Sequence, residues 1–103
     1  MKIKRLNKIS ILSSEFTITW NNKHDGGSFS YGDNTIEIGT YLSSDQEIFM
    51  VLCHEIMEIC AVEMSVRMRR PDCESDYIFV FDHRQFDTMM SLFASVISKF
   101  IKE

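Results

Sequence analysis

Hydrophobic and polar positions alternate along the first 42 residues with the period of two that is typical of β-strands. β-Branched and aromatic residues carry this alternation in four short segments, 9–11, 16–20, 29–31 and 36–38. Turn-forming residues separate the segments, including Gly26 and Gly27. The pattern therefore predicts a small N-terminal antiparallel sheet of three or four strands.

The apolar spacing changes to a helical period after Ser44. Ser44 and Glu47 form a capping-box sequence, which is typical of a helix N-terminus. Apolar residues such as Leu52 and Ile56 then recur on one face, and Pro71 requires the helix to end before it. A helix over 45–67 is predicted.

A polar segment, 68–76, follows and is predicted to be a loop, with a short extended segment over 77–81 after it. Asp82 and Gln85 form a second capping pair, and a buried stripe from Phe86 onward predicts a last helix that runs to Lys102. The expected fold is thus α+β, with the sheet, a long helix and a C-terminal helix in one domain, 1–103.

Composition narrows the function classes. The chain has 103 residues, with 11 Lys+Arg against 15 Asp+Glu and a formal net charge of −4, which argues against a nucleic-acid partner. The most apolar stretch, 48–66, contains one histidine and three glutamates, so no membrane span is expected. No signal-peptide pattern follows the basic N-terminus, and a cytoplasmic location is expected.

The three cysteines fit a reducing compartment. Cys53 and Cys60 lie on the predicted long helix, about 10 Å apart along its axis, which is too far for a disulfide bond. The thiols are expected to lie in the core.

The sequence His54-Glu55-Ile56-Met57-Glu58 is the sharpest chemical signal. On a helix, His54 and Glu58 are separated by about 40° and about 6 Å, so an imidazole and a carboxylate can converge on one ion such as zinc. Glu55, about 100° further round, can reach a metal-bound water. The alternative is a solvated helix face that carries His54 and Glu58 opposite the apolar stripe.

A second signal begins the last helix, where His83 and Asp87 lie one turn apart on the same face. A carboxylate there can orient a metal-bound histidine. Alternatively, both are ordinary polar residues at a helix N-terminus.

Together, the two motifs resemble the zincin metallopeptidases, most closely their smallest gluzincin-type members, over residues 29–103. That family carries His-Glu-x-x-His on its active-site helix and Glu-x-x-x-Asp on a following helix. Here Glu58 replaces the second histidine and His83 replaces the glutamate. The exchange preserves two imidazoles and one carboxylate, with a fourth tetrahedral position open to water.

The resemblance implies a zinc-dependent peptidase. Its metal ligands are His54, Glu58 and His83, its general base is Glu55, and Asp87 accepts a hydrogen bond from His54. It also implies that an extended peptide or protein substrate pairs with an edge strand formed by 34–39. Tyr77, His24, Tyr41 and Arg84 are open alternatives for the oxyanion-stabilising group.

A non-enzymatic reading from another class stays open. In it the chain is an interaction or regulatory protein, or an inert zincin scaffold, that binds a protein partner through a sheet edge or a methionine-rich surface. Association of several copies of the chain is compatible with either reading.

Overall fold

The computed structural model describes residues 2–102, leaving out the side chains of residues 73–75. Its strands are β1 (Lys2–Ile3), β2 (Lys8–Ile11), β3 (Ser14–Asn21), β4 (Gly27–Ser30), β5 (Thr35–Gly39), β6 (Arg67–Arg70), β7 (Cys73–Phe79) and β8 (Ile101–Lys102). Its helices are α1 (Asp45–Glu63) and α2 (His83–Ile97), and α2 continues into a 3-10 turn, Ser98–Phe100. The predicted α+β class is confirmed.

The main sheet has the strand order β2-β3-β5-β4. Neighbouring strands are antiparallel except β3 and β5, which are parallel, with Ile18 beside Ile36. The strand expected over 34–39 exists as β5, but its predicted position at the edge is wrong. Because β3 pairs with one side of β5 and β4 folds back onto the other, the edges of this sheet are β2 and β4.

One hydrophobic core lies between the sheet and α1. The sheet contributes Ile11, Ile36 and other alternate residues, and α1 contributes Leu52 and Ile56, all with no exposed surface. Each such side chain adds about 1.5–3 kcal/mol to the free energy of unfolding by leaving water. Cys60 is also buried and Cys53 is half-buried, which confirms the core location expected for these two thiols. The Cys73 side chain lies outside the described part.

Both helices begin as the sequence predicts. The Ser44 side chain accepts a hydrogen bond from the Glu47 amide, and the Glu47 carboxylate accepts one from the Ser44 amide. Asp82 and Gln85 make the same reciprocal pair at the start of α2. Two capping boxes therefore fix the helix starts.

Helix α1 ends at Glu63, earlier than predicted. Ser65 adopts a left-handed conformation with φ of 59°, its amide donates to the Val62 carbonyl, and the Val66 amide donates to the Ala61 carbonyl. This pattern is a Schellman motif, which ends a helix. The motif usually carries glycine at the left-handed position, and its serine here gives no glycine signal in the sequence.

The segment predicted as a polar loop is instead a hairpin. β6 pairs antiparallel with β7, with Met68 beside Ile78 and Arg69 beside Tyr77. The arginines in β6 hide the strand pattern because they replace the apolar residues that normally mark it. The chain reverses at Pro71 and Asp72.

Helix α2 ends at Ile97, short of the predicted Lys102. Phe100, in the 3-10 turn, is fully buried, and β8 then pairs antiparallel with β1. The buried Phe100 continues the apolar stripe beyond the helix, which explains why the periodicity predicted a longer one.

Candidate functional site

His54 and Glu55 stand at a cleft between α1 and the first residues of β4. The cleft has a volume of about 430 Å³ and is lined by Gly26, Gly27, Met50 and Val51 together with these two residues. The Glu55 side chain is only 8% exposed and the His54 side chain is 69% exposed. The glutamate therefore lies deep in the cleft and the histidine at its mouth.

Gly27 makes room for Glu55. A Cβ atom at Gly27 would lie 3.1 Å from Glu55 Cγ and 2.7 Å from Val51 Cγ1. Contacts under 3.0 Å force neighbouring atoms to move, so no larger residue fits without displacement. The sequence marks Gly27 only as a turn residue, and its role beside α1 becomes visible in the fold.

The environment of Glu55 makes its charged form less favourable than it is in water. Burial is the main cause that raises the pKa of this carboxyl above its usual range, and the nearby Glu58 carboxylate raises it further. The charges of His54 and Arg67 act in the opposite direction. His54 Nε2 lies 3.8 Å from Glu55 Oε2, beyond hydrogen-bond distance.

Glu58 is paired with Arg67, which lies outside both sequence motifs. Arg67 Nη2 lies 3.4 Å from Glu58 Oε2, and both side chains are largely buried. The Arg67 guanidinium also lies 3.6 Å from the centre of the Tyr77 ring and 5.4 Å from that of Phe29. The sequence places Arg67 at the end of a helix, and only the hairpin brings it to Glu58.

His83 occupies the first turn of α2, where its side chain is 88% exposed. Its Nδ1 atom lies 3.5 Å from Asp87 Oδ2, so the predicted shared face of these two residues is confirmed. The position of Asp87 therefore matches a partner of His83, whereas the sequence analysis assigned it to His54.

His54 and Glu58 share a cavity of about 380 Å³, whose walls are completed by Met50, Cys53, Met57, Phe79 and Phe93. Phe93 is the residue of α2 that lines this cavity. His83 precedes Phe93 by about 15 Å along the helix axis. The structure thus brings two of the three predicted metal ligands together and leaves the third near the start of α2.

A tetrahedral zinc site needs three protein ligands around one point. Among the side chains of residues 2–72 and 76–102, no group of three histidine, cysteine, aspartate or glutamate residues is placed to hold a metal ion. With Glu58 beside Arg67 and His83 beside Asp87, the donor set in this geometry does not fit zinc. Zinc binding at His54, Glu58 and His83 stays a prediction.

A helix groove runs between α1, α2 and the end of β7. A cavity of about 220 Å³ there is lined by Met57, Ala61, Phe79, Phe81, Phe86, Met89 and Met90. Met57 and Phe79 also border the cavity of His54 and Glu58, so the two cavities adjoin. The Phe81 and Phe86 rings stack with centres 6.0 Å apart. The groove therefore presents a nearly continuous apolar surface.

No protein-family model, curated protein or solved structure matches this chain. Within residues 2–102, no helix has the length and apolar character needed to cross a membrane.

Proposed function

We propose that this chain is a non-enzymatic protein-interaction module and that its helix groove binds the same groove of a second copy. The observation that carries the proposal is the exposed apolar lining of the groove. Phe79, Phe81, Phe86, Met50 and Met90 border the two adjoining cavities, and between 38% and 65% of each residue is exposed. Large exposed apolar patches on soluble domains are typical of interaction sites.

The area of this patch supports a second copy as the occupant. With about 200 Å² for each large side chain, these five residues expose roughly 450 Å² of apolar surface. A stable interface buries about 800 Å² on each partner, of which somewhat more than half is apolar. The groove and the adjoining cavity together therefore supply the apolar part of one standard interface, and a twofold arrangement lets the same surface serve both copies.

The association state of the purified protein tests this proposal. We expect a concentration-dependent dimer in sedimentation equilibrium, and at least about tenfold weaker association in Phe79→Ser, because truncated central aromatics cost the most binding energy. Met90→Glu, on the opposite wall, is expected to act in the same direction because it places a charge in the apolar interface.

Leu12→Ser is the matched control, since Leu12 is exposed in the turn between β2 and β3 and does not line the groove. Two results would contradict the second copy as occupant of the groove. One is a protein that stays monomeric over a roughly 100-fold range of concentrations up to millimolar, and the other is groove variants that associate as the wild type does.

The zinc peptidase implied by the zincin resemblance is the rival function. It is supported by the buried Glu55 beside His54 at a cleft, which is where a general base belongs. The zinc site that this function requires has no third ligand beside His54 and Glu58 among the described side chains. A peptide substrate along β5 is not supported either, because both sides of that strand are paired.

Metal content separates the two functions. We expect protein purified without chelators to contain far less than one zinc per chain. Stoichiometric zinc that is lost in His83→Ala, together with peptide cleavage that is lost in Glu55→Gln, would overturn the non-enzymatic proposal and support the peptidase.

We also propose a cytoplasmic location. The free thiols of Cys53 and Cys60 are compatible with a reducing compartment. Fractionation of cells that express the tagged chain tests this, and recovery outside the cytoplasm would contradict it.

A further inference from the structure

We propose that the cleft between Gly27 and α1 binds an organic cation, a guanidinium or ammonium group on an aliphatic stem, with Glu55 as its counter-ion. This site lies beside the N-terminal half of α1 and shares Met50 and His54 with the cavity that adjoins the helix groove. The zincin resemblance gives Glu55 a metal-bound water to act on, and the proposed dimer assigns the cleft no ligand.

The floor of the cleft carries a carboxylate that has no donor from the described part of the chain. Glu55 as a whole residue is 6% exposed, and among the residues whose side chains the structure describes none donates a hydrogen bond to its carboxylate. The nearest basic group, His54 Nε2, lies 3.8 Å away. A cation that enters the cleft can donate to this carboxylate in surroundings with little water, where a charge-assisted hydrogen bond is stronger than at an open surface.

The walls of the cleft suit an aliphatic stem. Met50 and Val51 provide apolar surface, and Gly26 and Gly27 provide backbone without side chains. The volume of about 430 Å³ exceeds what a single basic side chain needs. Lysine and arginine side chains pack their methylene groups on such surfaces while the charged end reaches a polar group.

The charge at the floor selects the class of ligand. An anion would be repelled by Glu55 and by the nearby Glu58, which acts on the same carboxyl. A purely apolar ligand would leave Glu55 without a donor. A guanidinium fits best because its planar set of donors can bind a carboxylate through two hydrogen bonds.

Titration with n-butylguanidinium tests the site. We expect saturable shifts of the Gly26 and Gly27 amide signals in ¹H–¹⁵N spectra of the titrated protein. Binding to Glu55→Gln is expected to be at least about tenfold weaker, because the charge-assisted pair is lost while the side-chain shape is kept.

Glu37→Gln is the matched control. It removes one negative charge from β5, where Glu37 is exposed between the buried Ile36 and Ile38 and so faces away from α1. We expect wild-type affinity in this variant. If Glu55→Gln fails to fold, Met50→Ala, which shortens an exposed wall, should weaken binding severalfold.

Two peptides distinguish a free cation from a side chain of a protein. One carries a single arginine among alanines, and the other carries citrulline at that place. Tighter binding of the arginine peptide than of n-butylguanidinium would identify a polypeptide source, and equal or weaker binding would identify a free cation. Unsaturable shifts in the wild type, or equal affinity in Glu55→Gln, would overturn the proposal. Neither result bears on the dimer, which is measured without ligand.

Discussion

The two long sides of α1 differ in what they bury. The side against the sheet is closed by fully buried aliphatic residues such as Leu52 and Ile56, and it also holds the buried Glu55. The side against α2 leaves Met50 exposed and Met57 only half-buried. Packing is thus tight on the sheet side except at the cleft that holds Glu55, and it is loose along the apolar groove.

A buried carboxylate on one side of α1 and exposed apolar residues on the other are both unusual for a soluble domain. A closed apolar core needs no carboxylate, and an open surface normally carries polar residues. Glu55 and the exposed lining of the groove both depart from the distribution that stability alone favours. We therefore propose both as surfaces on which a ligand or a partner supplies contacts that a single copy of the chain lacks.

The largest expected effect comes from truncation on the closed side. Leu52→Ala removes a side chain with no exposed surface and should lower the free energy of unfolding by about 2–5 kcal/mol, because a cavity remains. Met50→Ala, on the open side, should change it by less than about 0.5 kcal/mol. Urea denaturation at low protein concentration measures both. Equal losses would remove the contrast between the two sides.

A smaller effect is expected where β4 meets α1. Gly27→Ala places a Cβ 2.7 Å from Val51 Cγ1 and 3.2 Å from the Glu37 carbonyl oxygen, and it should cost about 1–3 kcal/mol. Gly32→Ala is the control, because the nearest atom to its Cβ is 3.7 Å away. Thermal unfolding compares the two variants. Unchanged stability in Gly27→Ala would mean that the cleft is looser than the contacts require.

The smallest effect is the pH dependence of Glu55→Gln. Because burial raises the pKa of Glu55 in the folded protein above its ordinary value of 4.5, the folded state binds this proton more tightly than the unfolded state. Wild-type stability should therefore fall relative to the variant as the pH rises above 4.5, and the difference should level off beyond the folded-state pKa. We expect the variant to gain stability relative to the wild type between acid and neutral pH.

Urea midpoints at a series of pH values measure this difference. A gap that stays constant across the series would mean that Glu55 titrates alike in the folded and unfolded states.

Local signals in the sequence predict the local parts of this fold. The starts of both helices follow from Ser44 with Glu47 and from Asp82 with Gln85, since each capping box is complete within four residues. The end of α1 does not follow, because Ser65 adopts a left-handed conformation without the usual glycine. The hairpin of β6 and β7 does not follow from the sequence either, because arginines stand where apolar strand residues are expected and Pro71 indicates a loop.

Contacts between segments that are distant in the sequence cannot be predicted from the hydrophobic pattern of one chain. The interior position of β5 depends on a parallel pairing with β3, which alternation within either strand does not encode. The candidate site shows the same limit. Helical spacing predicts that His54 and Glu58 lie on one face, and in the structure both border one cavity, but the pairing of Glu58 with Arg67 depends on how the hairpin folds back.

The Arg67 side chain contacts three different elements of the fold. One guanidinium touches Glu58 of α1, the Tyr77 ring of the hairpin and the Phe29 ring of the strand that borders the cleft. Removing this side chain should therefore disturb the packing of the hairpin, of α1 and of β4 at once, because its contacts with all three are lost together.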